Sequence, residues 1–286
     1  MSDYLSLFLI PPIVDIILAY SENLIVILHK YGINLFDGKE ILPFLDYENY
    51  RPDNLWISKI KENIRLFSLG KWIELTDINS FLSQKEWIKY SFITESSSIY
   101  LIGGDAFADL KISYKFNLVD NSRIELPSMN SKRCWHSLTI LENRLYAIGG
   151  HFYNDVPATD EYYDGNKWIN IKRMNIPRSN HQSIVHKGKI YVFGGNFISQ
   201  DILPVERYDP EENTWTNITY IPLNRHSFKV ISFENLIYII GGSIMLWNRY
   251  SNNEKCEKID IYNPDINEWS TCETGAFYED VHLSIL

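Results

Sequence analysis

The chain has 286 residues, of which 45% are hydrophobic and 14% aromatic, and its formal net charge is −9 at pH 7. This composition favours a well-packed globular protein over a disordered chain. The acidic balance, with no large Lys/Arg cluster, argues against a nucleic-acid-binding surface and is compatible with a basic protein partner.

The cysteines and the apolar N-terminal segment indicate the cellular compartment of the protein. Cys134, Cys256 and Cys272 are odd in number and lack metal-ligand spacing, which is typical of reduced thiols in a cytoplasmic protein. The longest apolar segment, residues 5–20, is interrupted by prolines and by Asp15, and it is too short to span a bilayer. We therefore expect a cytoplasmic chain without a membrane partner.

In chain order, the first recurring feature is an aromatic residue that is usually followed by Asp or Asn. A Trp often comes five or seven residues later, after Gly, Asn or Pro residues that favour a tight turn. The aromatic pairs are Phe36-Asp37, Phe67-Ser68, Phe116-Asn117, Tyr163-Asp164, Tyr208-Asp209 and Tyr262-Asn263, and the tryptophans are Trp72, Trp168, Trp215 and Trp269. Each pair predicts one β-hairpin, so the chain is predicted to hold six similar units.

The second recurring feature is a Gly-Gly pair at the end of an apolar run. The pairs are Gly103-Gly104, Gly149-Gly150, Gly194-Gly195 and Gly241-Gly242, at successive offsets of 46, 45 and 47 residues. Glycine at the end of a strand permits a positive φ and close approach of a neighbouring backbone. A period in the forties is typical of propeller blades.

The clearest unit runs from Arg178 to Leu223. It contains four short alternating segments, the first two separated by a predicted turn at Gly188-Lys189. One four-stranded sheet cannot cover both of its own faces, so we expect successive units to stack. The tryptophans and the recurring aromatic residues are predicted to be core between them.

These markers resemble kelch repeats, most clearly over residues 133–272, and their degenerate style resembles the C-terminal domain of poxvirus BTB–kelch proteins. The resemblance implies an all-β fold: a six-bladed kelch-type β-propeller with four antiparallel strands per blade and a ring closed by a terminal strand. The expected blades are residues 13–45 with 278–286, 47–76, 88–128, 133–173, 178–221 and 225–272. Either residues 13–20 or the C-terminal segment could complete the first blade, and the C-terminal segment is favoured.

No catalytic or cofactor motif emerges from the sequence, so we expect neither an enzyme nor a cofactor. His136, His181, His226 and His282 recur at what reads as one blade position. Because repeat-equivalent residues point into the cores of successive blades, we interpret these histidines as structural rather than metal-binding.

Arg133, Arg178 and Arg225 each begin an inner strand after a proline-containing loop. In similar kelch receptors, arginines at the corresponding position help to grip acidic peptides, a task suited to the planar guanidinium. The alternative is structural, with each arginine bonded to loop carbonyls of its own ring. The segments after the Gly-Gly pairs supply further candidate partner contacts, which are Phe107, Phe152, Tyr153, Phe197, Trp247, Arg249 and Tyr250.

The resemblance implies a protein-interaction module that recognises host proteins for a cullin-based ubiquitin ligase. The cullin would be reached only through a BTB domain absent from this sequence, so the chain would be an excised fragment or a truncated relative. An actin-binding scaffold is the alternative, and an enzyme is a more remote one.

Overall fold

The computed structural model describes a chain built from β-strands. The described residues are 25–29, 32–36, 41–46, 65–68, 71–74, 91–95, 98–104, 111–117, 120, 122–151, 159–197, 200–223, 225–226, 228–233, 235–240, 243–244, 254–255 and 258–273. The chain divides into a central unit, residues 81–226, and a terminal unit, residues 1–80 with 227–286. In the described ranges, no helix is long and apolar enough to cross a membrane.

The N-terminal part of the terminal unit holds two small antiparallel sheets. Sheet I has the order β1-β2-β3 and sheet II pairs β4 with β5. Their strands are β1 (Ile25–His29), β2 (Gly32–Phe36), β3 (Ile41–Asp46), β4 (Arg65–Ser68) and β5 (Lys71–Glu74). The hairpins predicted at Phe36 and Phe67 are thus present.

The central unit holds three four-stranded antiparallel sheets: sheet III, sheet IV and sheet V. Sheet III consists of β6 (Ser91–Glu95), β7 (Ser98–Ile102), β8 (Ser113–Asn117) and β9 (Arg123–Glu125). Sheet IV consists of β10 (Ser137–Leu141), β11 (Arg144–Ile148), β12 (Asp160–Tyr163) and β13 (Trp168–Ile171). Sheet V consists of β14 (Gln182–His186), β15 (Lys189–Phe193), β18 (Pro204–Asp209) and β19 (Thr214–Tyr220), with the short pair β16 (Asn196–Phe197) and β17 (Gln200–Asp201) inserted after β15. A two-residue strand, β20 (Arg225–His226), ends this unit.

The C-terminal part of the terminal unit repeats the same order. Sheet VI consists of β21 (Lys229–Phe233), β22 (Leu236–Ile240), β25 (Lys258–Asn263) and β26 (Glu268–Glu273), and β23 (Ser243–Ile244) pairs with β24 (Glu254–Lys255) in the connection. Four successive predicted repeats therefore each contain one four-stranded antiparallel sheet.

The hairpin between the first two strands of a sheet follows from residues with positive φ. In sheet IV the turn is Glu142-Asn143, with φ of 51° and 59°, between paired Leu141 and Arg144. In sheet V the turn residues are Lys187 and Gly188, with φ of 47° and 72°. Two consecutive positive φ values match the twist of a two-residue hairpin. The turn in sheet V therefore lies one residue before the predicted Gly188-Lys189, because Lys189 is the first residue of β15.

The hydrophobic core of the central unit lies between successive sheets. One cluster joins Tyr146 and Ile148 of sheet IV to Ile190 and Val192 of sheet V, and another joins sheets III and IV. Trp168 and Trp215, both 5% exposed, belong to these clusters. Each tryptophan also donates an Nε1–H bond of 2.8 Å to the segment that follows the last strand of the preceding sheet. Trp168 bonds the Pro127 carbonyl and Trp215 bonds the Lys172 carbonyl. The tryptophans are buried between repeats, as the sequence predicts.

The number of blades and the closure of the ring stay predictions. Residues 13–20 and 278–286, which compete to complete the first blade, lie outside the described residues. The blade boundaries assigned from the sequence likewise remain expectations.

Candidate functional site

The Gly-Gly pair forms a tight junction between neighbouring sheets of the central unit. Gly149 directly follows β11 and has φ of +62°, and a Cβ placed there would lie 2.7 Å from the Arg178 carbonyl oxygen and 2.6 Å from Cε1 of His181. The next amide, that of Gly150, donates a 2.9 Å bond to the Arg178 carbonyl. The second strand of sheet IV therefore ends directly against the segment that begins sheet V.

Arg133 lies completely buried behind this junction. Its guanidinium donates to Glu161 Oε1 at 2.7 Å and to the carbonyl oxygens of Gly149 and Thr159, both at 2.9 Å. The carboxylate of Glu161 in turn accepts the backbone N–H groups of Asn130 and Ser131, at 2.7 and 3.1 Å. One buried ion pair thus holds three separate segments of backbone.

Arg178 repeats the arrangement in the next repeat. It donates to Glu206 Oε1 at 2.8 Å and to the carbonyl oxygens of Pro204 and Gly194, at 2.8 and 3.1 Å. Glu206 accepts the N–H groups of Asn175 and Ile176 at 2.7 and 3.1 Å. Burial lowers the pKa of Arg178, and the neighbouring Glu206 carboxylate acts in the opposite direction. A guanidinium nevertheless stays protonated at neutral pH.

We call these two arrangements the Arg–Glu clamps. Each clamp bonds the backbone at both ends of the segment that follows the Gly-Gly pair: Gly149 and Thr159 in one repeat, Gly194 and Pro204 in the other. The variable segments are therefore anchored to a buried charge network at both ends. Such a rigid base is what loops that carry binding specificity require.

The clamps decide between the two interpretations of these arginines. Arg133 and Arg178 are 0% and 1% exposed, and their donors face loop carbonyls and a buried glutamate. The geometry is that of the structural alternative, and it corrects the expectation that these two side chains contact a partner. The guanidinium groups point inward because the inward-facing Glu161 and Glu206 require a cation there.

The other predicted contact residues have no described side chain. Arg225 belongs to β20 and Phe197 to β16, and only their backbone is described. The remaining candidates lie outside the described residues, and they are Phe107, Phe152, Tyr153, Trp247, Arg249 and Tyr250. Their role as partner contacts stays a prediction.

Two of the recurring histidines, His136 and His181, are buried, and the sequence alignment of the recurring positions needs one correction. His136 and His181, three residues after their arginines, are 5% and 2% exposed. The third residue after Arg225 is Phe228, which is 1% exposed, whereas His226 follows Arg225 directly. Counting back from the first residues of β10, β14 and β21 gives the same alignment. Phe228 therefore takes the place that the sequence pattern assigned to His226, and His282 lies outside the described residues.

Burial keeps His136 and His181 neutral. It lowers the pKa of His181 to about 3, with the Arg178 charge acting in the same direction, and Ser137 Oγ lies 2.8 Å from its Nε2. Burial also lowers the pKa of His136, to which Arg133 and His181 contribute. The opposite shift occurs at Asp160, where burial raises the pKa to about 6 against the effect of Arg133.

These shifts predict that the protein loses stability as the pH falls below 6.5. In that range the unfolded chain protonates both histidines while the folded chain does not, which removes about 2 kcal/mol per histidine by pH 5. Asp160 returns about 1 kcal/mol, because its folded carboxyl binds a proton below pH 6. Urea unfolding at pH 7 and pH 5 should therefore show a net loss of about 3 kcal/mol.

The variant His181→Asn supplies the control for this pH dependence. Removing one imidazole should shrink the difference between pH 7 and pH 5 by about 2 kcal/mol, whatever its effect at pH 7. An unchanged difference would show that His181 is not the titrating group.

The exposed counterpart of the clamps lies two residues after each arginine. Trp135 has φ of 52° and is partly exposed, and Asn180 has φ of 55° and is exposed. The left-handed region is common for Asn but costs a bulky residue such as Trp about 1–2 kcal/mol. The sequence interpretation missed both residues, although their constant offset from the arginines was visible. Because of this backbone conformation, the two side chains point in a different direction from the buried arginine two residues before and the buried histidine one residue after.

Each of these residues meets the residue that follows a Gly-Gly pair. The Trp135 and His151 rings are 4.5 Å apart between centroids, and Cys134 and His151 exchange two backbone hydrogen bonds. Asn180 Nδ2 donates to Asn196 Oδ1 at 3.3 Å, and its backbone N–H donates to the Trp135 carbonyl at 2.9 Å. We call these four residues, Trp135, His151, Asn180 and Asn196, the loop-edge patch. The patch continues from one repeat to the next and includes the first residue after each of the two Gly-Gly pairs.

The described residues give no support to a metal centre. Among them, no group of three or more His, Cys, Asp or Glu side chains is arranged to hold an ion. Cys134 is buried and has its Sγ 3.1 Å from the His151 carbonyl oxygen. The loop-edge patch itself offers an indole, an imidazole and two side-chain amides.

Repeated four-stranded antiparallel sheets, with the segment after the second strand anchored at both ends in sheets IV and V, define a β-sheet repeat domain. A family model described as the KLHDC2/KLHL20/DRC7 Kelch-repeats domain matches residues 89–279. The chain belongs to the Kelch-repeat family.

The curated relatives include vertebrate and poxvirus proteins. The chain is 32% identical to Kelch-like protein 21 of Danio rerio over 203 residues, which are 70% of this chain and 30% of that protein. It is 36% identical to Protein C13 of Swinepox virus (strain Kasza) over 182 residues, 63% of this chain and 35% of that protein. It is 33% identical to Kelch repeat and BTB domain-containing protein 2 of Cowpox virus (strain GRI-90 / Grishak) over 85 residues, 28% of this chain and 15% of that protein. The matches thus cover about a third of these relatives or less.

A solved structure supports the fold. The β-propeller reported as "Structure of YjhT" aligns with a TM-score of 0.52 over 66% of each chain, at 14% sequence identity. At that identity the likeness concerns the fold alone.

Proposed function

We propose that this Kelch-repeat chain binds a protein partner through the loop-edge patch and the anchored segments beside it. Family membership supports the general role of a protein-interaction module. The observation that carries the location is the contrast between Arg133, which is 0% exposed, and Trp135, which is partly exposed in a backbone conformation unfavourable for Trp. Strained residues of this kind cluster at binding sites, where the surrounding structure holds them in place.

Quantitative affinity capture from host-cell extract tests this location. Wild type is compared with the double variant Trp135→Ala/Asn180→Ala and with Tyr220→Ala, which removes a 66% exposed aromatic side chain at the end of β19. We expect at least one protein to be retained by wild type and Tyr220→Ala and reduced about tenfold or more by the double variant, as for an aromatic hot spot.

Purified partner and thermal unfolding complete this test. The dissociation constant for the captured protein should rise by the same factor in the double variant, while its unfolding midpoint stays near that of wild type. Equal capture by all three proteins, with all three folded, would place the binding surface elsewhere.

We further propose that the module selects host proteins for a cullin-based ubiquitin ligase in the host cytoplasm. What supports this is the similarity to poxvirus proteins, one of which is named for its BTB domain. The cullin would be contacted by a BTB domain outside this sequence. In this role the chain binds the substrate and performs no catalytic step.

A fusion protein tests the ligase role separately. The chain is joined to the BTB-containing part of the cowpox relative, and ubiquitination of the captured partner is followed in cells. We expect ubiquitination with the wild-type module and none with Trp135→Ala/Asn180→Ala. Modification that is independent of these residues would contradict the role as substrate adaptor.

A further inference from the structure

The charges of the described repeats favour a different kind of partner from the acidic peptide that the sequence suggested. Arg133 and Arg178 are buried and bonded to Glu161 and Glu206 at 2.7 and 2.8 Å. A carboxylate on a partner cannot reach these guanidinium groups without breaking the clamps. The whole chain has a net charge of −9, and such a field attracts cationic segments and repels acidic ones.

The groups of the loop-edge patch suit a cation. The face of an indole is the strongest aromatic acceptor for a cation–π contact, and Trp135 is partly exposed. Asn180 uses its Nδ2 towards Asn196 Oδ1, at 3.3 Å, so its own Oδ1 is the group of that exposed amide that accepts hydrogen bonds. The backbone bond from Asn180 N–H to the Trp135 carbonyl keeps the two residues adjacent.

A guanidinium matches both groups at once. It is planar and stacks on aromatic rings, and its edge carries five N–H donors for acceptors such as an amide oxygen. A lysine ammonium could make the cation–π contact but lacks the flat surface for stacking.

We propose, on the basis of the proposed function, that the loop-edge patch binds a basic peptide segment of the partner. An arginine of this segment stacks on Trp135 and donates a hydrogen bond to Asn180. One exposed cation, Lys132, lies three residues before Trp135. Its positive charge repels a basic ligand and attracts an acidic one. Changing Lys132 therefore distinguishes a basic ligand from an acidic one.

The test is selection of a phage-displayed library of random 12-residue peptides on the purified chain. We expect the enriched peptides to carry net positive charge and a recurrent arginine. In synthetic peptides measured by fluorescence anisotropy, Arg→Gln at the recurrent position should weaken binding by about tenfold, and Trp135→Ala in the chain should do the same.

Two charge variants of the chain test the sign of the interaction. Asn180→Asp also loses the 3.3 Å bond from Nδ2 to Asn196 Oδ1, so the fold of each variant is checked separately. Asn180→Asp, at a position where Asp tolerates the left-handed backbone, should tighten binding of the enriched peptide by about threefold to tenfold. Lys132→Ala should tighten it by about twofold to fivefold. The purified variants must keep the wild-type circular dichroism spectrum.

The outcomes separate this inference from the proposed function. Enriched acidic peptides whose binding falls with Trp135→Ala would overturn the basic ligand and leave the location of the surface intact. Peptides of any charge that bind Trp135→Ala and Asn180→Ala as well as wild type would overturn both. Failure of the library to enrich any peptide would also count against both.

Discussion

Arg178→Ala is expected to lower the free energy of unfolding by about 3–5 kcal/mol, because it leaves the Glu206 carboxylate buried without its cation. The variant also removes the donors to the carbonyl oxygens of Gly194 and Pro204, which lie 3.1 and 2.8 Å from the guanidinium. Urea unfolding at pH 7, followed by tryptophan fluorescence, measures the loss.

The neighbouring Arg173 provides the matched control. It is exposed, and Arg173→Ala should change the free energy of unfolding by no more than about 0.5 kcal/mol. Similar small losses in both variants would show that the buried Arg178–Glu206 pair does not stabilise the fold.

Gly149→Ala is expected to be at least as destabilising as the loss of a clamp arginine. The new methyl group would lie 2.7 Å from the Arg178 carbonyl oxygen, 2.6 Å from the His181 ring and 2.7 Å from Cε of Met174. Two of these contacts involve backbone or a buried ring, so the junction between sheets IV and V has to open. We expect a loss of about 3 kcal/mol or more from overpacking and backbone strain together.

Gly188 separates the clash from the backbone strain. Its φ of +72° resembles the +62° of Gly149, but a Cβ at Gly188 meets no atom within 4 Å. Gly188→Ala should therefore cost only about 1–2 kcal/mol from the left-handed backbone. Equal losses in the two variants, measured by the same urea unfolding, would contradict a tight junction at Gly149.

Much of the fold could be predicted because its signals are local and recur. Gly103-Gly104 and Gly149-Gly150 mark real junctions, and Trp168 and Trp215 lie buried between repeats, where they bond the carbonyl oxygens of Pro127 and Lys172. Equivalent residues have the same environment in these repeats, so their spacing carries the information.

The sequence left two roles for the arginines open, because the partners that decide between them are distant along the chain. Arg133 and Glu161 are 28 residues apart, as are Arg178 and Glu206. A signal was nevertheless available: an acidic residue recurs two positions before the aromatic at Tyr163, Tyr208 and Tyr262. A carboxylate that repeats within a buried strand implies a buried cation, since an unpaired buried charge is strongly unfavourable.

The loop-edge patch depends on backbone conformation, which the sequence shows only weakly. Nothing in the residue type indicates that Trp135 has φ of 52°, and Asn180 alone would be read as an ordinary turn residue. The pairing of Cys134 with His151, and of Ser179 with Asn196, determines this geometry. These bridges connect residues 17 apart, on either side of the hairpin formed by the first two strands of each sheet.

Two measurements test the division between exposed patch and buried clamp most directly. They are binding of the same enriched peptide and urea unfolding, each made on Trp135→Ala and Arg178→Ala. We expect Trp135→Ala to lose binding by about tenfold with a stability change below about 1 kcal/mol. Arg178→Ala should lose about 3–5 kcal/mol of stability and, under conditions where it is fully folded, bind the peptide as wild type does. Retained stability with lost binding in Arg178→Ala, and unchanged binding in Trp135→Ala, would show that the arginines grip the partner.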